Sequence, residues 1–215
     1  MQNLALHEKF EIEVLGILNS KRLLEPLLFG GGTMLRLCHG LNRYSVDLDF
    51  YFLKDIDADV FNKKMLACLS DKYMITDAAE KYFTLLYEFK SKEYPQRLKI
   101  EIRKKIQQFK YSECIAFSTH STEQVLLKAL TLEQMMENKV KAFLDRVAIR
   151  DCFDMEFLIK KDIELRVDEE TALGIKSKIG RFKKRDFDVA LGSLLAAEDR
   201  RYYSKNGFKI LLSRL

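Results

Sequence analysis

The chain has 215 residues, 47% of them hydrophobic, with 37 Lys and Arg against 32 Asp and Glu. Such a composition supports one large domain or two small ones around a real core and excludes an intrinsically disordered chain. The net charge of +5 is too small an excess to identify a nucleic-acid partner, and no apolar run reaches the roughly eighteen residues of a membrane-spanning helix.

In chain order, apolar residues at helical spacing (Leu6, Phe10, Val14, Ile17, Leu18) predict a first helix over residues 3–20. Pro26 then precedes a short buried strand, 27–29, which runs into Gly30, Gly31 and Gly32. A short helix over 33–39 is stopped by Gly40. Residues 47–53 read as a strand, 57–69 as a helix, and 81–89 and 97–103 as alternating strands, with Leu98, Ile100 and Ile102 on one face and Lys99, Glu101 and Arg103 on the other.

After about residue 120 the strand patterns fade. Thr131 with Gln134 reads as a capping box for a helix to about residue 147. Further helices are predicted over 151–160, 168–180 and 186–198, with a loop after residue 160. The expected fold is α+β: a small mixed sheet flanked by helices over residues 1–120, then a helical bundle over 121–215.

Cys38, Cys68, Cys114 and Cys152 form no CxxC motif and no zinc-like spacing with a histidine. They read as buried free thiols in a reducing compartment, and the N-terminus lacks the basic start of a signal peptide; a cytoplasmic protein is expected. His7 and His120 read as surface residues. The aromatic residues follow core periodicity and do not interleave with basic ones along the sequence, and the clusters Arg103–Lys105 and Arg181–Arg185 read as solvated faces, with a nucleic-acid patch as the alternative.

The chemistry concentrates in two places. Asp47 and Asp49, at i and i+2 on a strand, leave the same face and could share a divalent metal. Glu101 is the candidate third carboxylate, beside Asp49 if the two strands pair antiparallel; the alternative is an ordinary solvent-facing glutamate. The glycines let a phosphate approach the backbone, and the Thr33 hydroxyl could bond a phosphate or cap its helix. No Gly-Lys-Ser/Thr follows, so this is not a P-loop.

In the second half, Lys139 stands on an apolar helical stripe with Met135, Met136, Val140 and Phe143. It either snorkels outward or reaches toward an anion such as a triphosphate. Asp151 and Asp154 share one helix face. They could orient Lys139 or Arg150, act as a base, or belong to a buried ion-pair network.

Residues 29–37 (Phe-Gly-Gly-Gly-Thr-Met-Leu-Arg-Leu) and 40–50 (Gly-Leu-Asn-Arg-Tyr-Ser-Val-Asp-Leu-Asp-Phe) closely resemble the AbiEii/AbiGii-type nucleotidyltransferases of the polymerase-beta-like superfamily. The later block with Lys139, Arg146, Arg150, Asp151 and Asp154 resembles that family's second motif region. These proteins are toxins of type IV toxin–antitoxin and abortive-infection systems.

The resemblance implies Mg²⁺, or Mn²⁺ in its place, on Asp47 and Asp49. It places Gly31, Gly32 and Thr33 on the triphosphate and Lys139 on the nucleotide, with Asp151 or Asp154 completing the site. Arg43, in the loop before the strand, is expected to assist. It also implies transfer of a nucleoside monophosphate to an acceptor, in some members the 3′ end of tRNA, and a cognate antitoxin as partner. The alternatives are a non-catalytic nucleotide- or RNA-binding module and a kinase-like phosphoryl transferase.

Overall fold

The computed structural model describes residues 2–215. Contacts divide the chain into a sheet unit, residues up to Gly40 together with Tyr44–Leu130, and a helical unit, Leu41–Arg43 together with Thr131–Leu215.

The sheet unit contains α1 (Gln2–Ser20), β1 (Leu27–Gly30), α2 (Gly31–His39), β2 (Asp47–Phe52), α3 (Ala58–Ser70), β3 (Met74–Glu80), β4 (Thr84–Lys90), β5 (Leu98–Arg103), β6 (Tyr111–Phe117) and β7 (Gln124–Leu130). Its seven strands lie in the order β3-β4-β5-β2-β1-β7-β6. β2 runs antiparallel to β1 and parallel to β5; β1 is parallel to β7; the remaining pairs are antiparallel.

Alternation builds the core, because successive side chains on a strand point to opposite faces. Leu48 and Phe50 of β2, Leu85, Tyr87 and Phe89 of β4, and Leu98, Ile100 and Ile102 of β5 are all buried. Phe10 of α1 meets Phe89 edge-on with ring centroids 5.7 Å apart, and Phe61 of α3 meets Phe52 in the same way at 5.2 Å. The other face of β2 and β5, half-buried, carries Asp47, Asp49, Tyr51, Lys99 and Glu101.

Three strands were not legible from periodicity. β3 is largely exposed and its apolar residues do not alternate, β6 is an edge strand with most side chains outside, and β7 carries consecutive leucines that blur its alternation. The strands therefore continue to residue 130, beyond the point where their pattern fades in the sequence. The parallel pairing of β2 with β5 also corrects the antiparallel expectation, since alternation fixes a face and not a direction.

The helical unit contains α4 (Leu132–Arg146), α5 (Ile149–Lys160), α6 (Glu169–Ile179), a π-helical turn over Asp186–Leu191, a 3-10 turn over Gly192–Leu194, α7 (Ala197–Asn206) and α8 (Lys209–Ser213). The Thr131 hydroxyl caps α4, accepting from the Gln134 N–H at 3.3 Å. The Gln134 side chain bonds Glu137 and Asn138. The continuous helix expected over 186–198 is replaced by the π and 3-10 turns followed by α7. Among the described residues no helix is long and apolar enough to cross a membrane.

Candidate active site

β1 ends and α2 begins within the glycine run, and this junction shapes the site. Gly30, extended at φ −143°, occupies the N-cap position with no side-chain cap, so the first N–H groups of α2 receive no partner from that residue. Gly31 has φ +75°, in the left-handed region that favours glycine. A Cβ at Gly31 would stand 2.2 Å from Asp49 Oδ2, so the Asp49 carboxylate lies directly against the opening of the helix. At the other end Gly40, also left-handed, closes α2 through its N–H to Arg36 and Leu35 carbonyls.

The carboxylates sit where the sequence placed them. Asp47 and Asp49 share a face of β2, and Glu101 on β5 is the register partner of Asp49. Lys99 is the register partner of Asp47, and its Nζ stands 3.3 Å from Asp47 Oδ2 and 3.6 Å from Glu101 Oε2. Burial works against the Lys99 charge, but Asp47, then Glu101 and Asp49, outweigh it and raise its pKa. Among the described residues no three His, Cys, Asp or Glu side chains converge as a preformed metal cluster.

The Thr33 side chain is fully buried, and the hydroxyl donates to the Asp47 carbonyl at 2.6 Å. The bond ties α2 to the backbone of the strand that carries both aspartates. The Thr33 backbone N–H remains part of the first turn.

Beneath this strand lies a polar cluster that the sequence did not reveal. His7, read as a surface residue, is buried, with Nε2 donating to the Val46 carbonyl at 3.0 Å. Burial lowers the pKa of its imidazole, against the opposing pull of that bond and of Asp47. Glu8 accepts from Ser118 Oγ at 2.5 Å and pairs with Arg36, whose guanidinium lies 3.8 Å from the centroid of the Tyr44 ring. Tyr44 Oη in turn meets His120 Nε2 at 3.4 Å. Helical spacing alone marks Glu8 and Glu11 as polar positions of an amphipathic helix; only the fold shows that they face inward.

In the helical unit the second block forms a closed ion-pair network. Val147 ends α4 in a left-handed conformation, φ 51°, rare for a β-branched residue, and α5 follows after one residue. Across this turn Lys139 Nζ meets Asp151 Oδ1 at 3.2 Å and Asp154 Oδ2 at 2.5 Å. Arg146 donates two bonds to Asp151, at 2.8 and 2.7 Å, and Arg43 donates two to Asp154, both at 2.7 Å. Burial alone would push the Asp154 carboxyl up; Arg43 and Lys139 outweigh it and hold its pKa below the ordinary aspartate range.

The network sets the surroundings of several candidate residues. Lys139 is only 6% exposed, and its ammonium meets Asp151 and Asp154. Asp151 and Asp154 are wholly buried and ion-paired, the network being one of the arrangements expected for them. Arg43 is buried against Asp154. The four cysteines are free, with Cys152 buried and Cys38, Cys68 and Cys114 half-buried.

A mixed sheet with a glycine-opened helix beside paired strand aspartates, followed by helices, is a nucleotidyltransferase fold. The sequence matches the family model described as nucleotidyl transferase AbiEii toxin, type IV toxin–antitoxin system, over residues 15–204, and the chain belongs to that family. No curated protein sequence matches it.

Among solved structures it is similar to MenT4, a nucleotidyltransferase toxin of Mycobacterium tuberculosis, with TM-score 0.60 and 15% identity over 97% of this chain and 84% of that one. It is also similar to JHP933 of Helicobacter pylori, with TM-score 0.50 and 20% identity over 93% of each chain. At these identities the likeness is one of fold.

Proposed function

We propose that this toxin-family transferase moves a nucleoside monophosphate from a nucleoside triphosphate to an acceptor hydroxyl, with a divalent cation held by Asp47 and Asp49 and Glu101 as third ligand. The observation that carries the reading is the Asp49 carboxylate, which lies at once against the opening of α2 and in register with Glu101.

The donor chemistry suits a hard cation, although the three carboxylates are not drawn together as a preformed cluster. The donors are all carboxylate oxygens, and a cation of the chain's own, the Lys99 ammonium, already stands between Asp47 and Glu101. Bound Mg²⁺ or Mn²⁺ would neutralise triphosphate charge and ease deprotonation of the acceptor hydroxyl.

The backbone N–H groups of Gly31, Gly32 and Thr33 offer the triphosphate the donors of a helix N-terminus. Thr33 and His7 fix the carbonyls of Asp47 and Val46, which holds the start of β2 in place. The acceptor oxygen attacks the α-phosphorus, the bond from that phosphorus to the bridging oxygen breaks, and pyrophosphate leaves. Arg43, Lys139, Asp151 and Asp154 are assigned to holding the helical unit together. RNA, with the 3′ end of tRNA the first to try, is the proposed acceptor. A cognate antitoxin is the proposed partner, in keeping with family membership.

Incubation of the protein with Mg²⁺, total tRNA and each of the four α-labelled triphosphates tests the reading. Label on RNA is the expected result. Transfer from the γ position instead would make the protein a phosphoryl transferase, and bound nucleotide with no transfer to any acceptor would make it a binding module.

A further inference from the structure

Two residues beyond Asp49 on β2, and so on the same face, stands Tyr51; two beyond Glu101 on β5 stands Arg103. Tyr51 and Arg103 are register partners, and Arg103 is also paired with Thr84 at the start of β4. The Arg103 guanidinium lies 5.5 Å from the Tyr51 ring centroid, and Phe109 packs edge-on against Tyr51 at 4.8 Å.

Just before Thr84, the rings of Tyr82 and Phe83 lie 4.5 Å apart and are 85% and 64% exposed. The Lys104 N–H bonds the Phe83 carbonyl at 2.9 Å, which keeps that turn beside the end of β5. Residues 103–110 contain Arg103, Lys104, Lys105 and Lys110 and no acid. Glu80 pairs with the Lys104 ammonium at 3.1 Å. Residues 51, 82–83 and 103–109 are far apart in the sequence, so the mixing of aromatic rings with cations, missing from the linear pattern, is made by strand pairing.

We infer that this end of the sheet binds a single-stranded nucleic acid and leads it to the Asp49–Glu101 pair. The inference rests on the nucleotidyl-transfer reading, in which such a strand is the acceptor. Exposed rings offer stacking surfaces to unpaired bases, and the cations track the phosphates. A duplex hides its base faces and could use only the cations. A protein partner drawn by apolar contact would have no use for an acid-free cationic segment beside the rings.

The test is fluorescence anisotropy with a labelled RNA single strand of about 12 nucleotides, the DNA strand of the same sequence and the corresponding duplex, without triphosphate or metal. Wild type is expected to bind single strands at least about tenfold tighter than duplex. RNA binding tighter than DNA would locate recognition of the 2′-hydroxyl here. The double substitution Tyr82→Ala, Phe83→Ala is expected to weaken single-strand binding about tenfold, at unchanged melting temperature. Arg103→Gln with Lys105→Gln is expected to reduce the slope of log affinity against log salt by about 1.4.

Equal affinity for duplex, absence of strand binding by wild type, or unchanged affinity in both double variants overturns the proposal; the surface would then belong to a protein partner. Since no triphosphate is present, the two readings fail separately. Strand binding by a wild type that transfers nothing sinks the transfer reading alone, and transfer to RNA with binding unchanged in the variants sinks this one alone.

Discussion

The Asp49 carboxylate occupies the space that a side chain at Gly31 would need: a Cβ there would stand 2.2 Å from Asp49 Oδ2 and 2.9 Å from its Cβ. Glycine is required at position 31 twice over, by this approach and by φ +75°. Gly31→Ala would incur about 1–2 kcal/mol for the left-handed backbone and push the carboxylate off the helix opening. Displacement of a reacting group by about 1 Å can lower turnover about 100-fold. A drop of that order in nucleotide transfer, with a circular dichroism spectrum like that of wild type, is the expected outcome.

Lys99 offers a reading of the metal site independent of turnover. Its ammonium lies between the carboxylates of Asp47 and Glu101, so it competes with any divalent cation drawn there. Lys99→Met is expected to tighten Mn²⁺ binding, measured by calorimetry on the protein alone. Weaker or unchanged Mn²⁺ binding would place the cation elsewhere.

The sequence was most informative where chemistry and local geometry coincide. The glycine run, the aspartate pair and the alternation that put Glu101 on the polar face are local patterns, and the register then set Glu101 beside Asp49. Partners of charged residues are set by tertiary structure and stayed hidden. Lys139 was visibly misplaced on its apolar stripe, yet nothing in its own helix could show that Arg43, nearly a hundred positions earlier, shares Asp154 with it. Nor could the spacing of Glu8 and Glu11 reveal that both are buried. Strands β3 and β6 were missed because their largely exposed faces need no apolar alternation.

Glu11 supplies a pH prediction. It is wholly buried, Thr33 Oγ1 reaches its Oε1 at only 3.4 Å, and its Oε2 finds no hydrogen-bond partner among the described residues. Burial, and then the charge of Glu8, raise its pKa well above the usual carboxylate range. A raised carboxyl contributes stability that is present below the ordinary glutamate value and is lost as pH rises toward the folded-state value. Glu11→Gln, neutral at every pH, is therefore expected to melt higher than wild type at about pH 8, the difference shrinking toward about pH 4. An equal difference at both pH values would contradict a raised Glu11 pKa.

Asp154 acts in the opposite sense. With its folded-state pKa held down, it contributes stability present above the ordinary aspartate range and lost as pH falls below it. Asp154→Asn leaves Arg43 and Lys139 buried without their shared counter-charge, and breaking a buried pair in this way costs about 3–5 kcal/mol. Urea unfolding should show a loss of that size at neutral pH and a shallower decline in acid.

The central claim is that Asp49 holds the metal for nucleotidyl transfer, and the direct measurement is label transfer from α-labelled triphosphate to RNA by wild type and by Asp49→Ala at saturating Mg²⁺. The account predicts a loss of at least about 100-fold in turnover, with the melting temperature within a few degrees of wild type. Transfer by Asp49→Ala at the wild-type rate would contradict it and remove β2 from the chemistry.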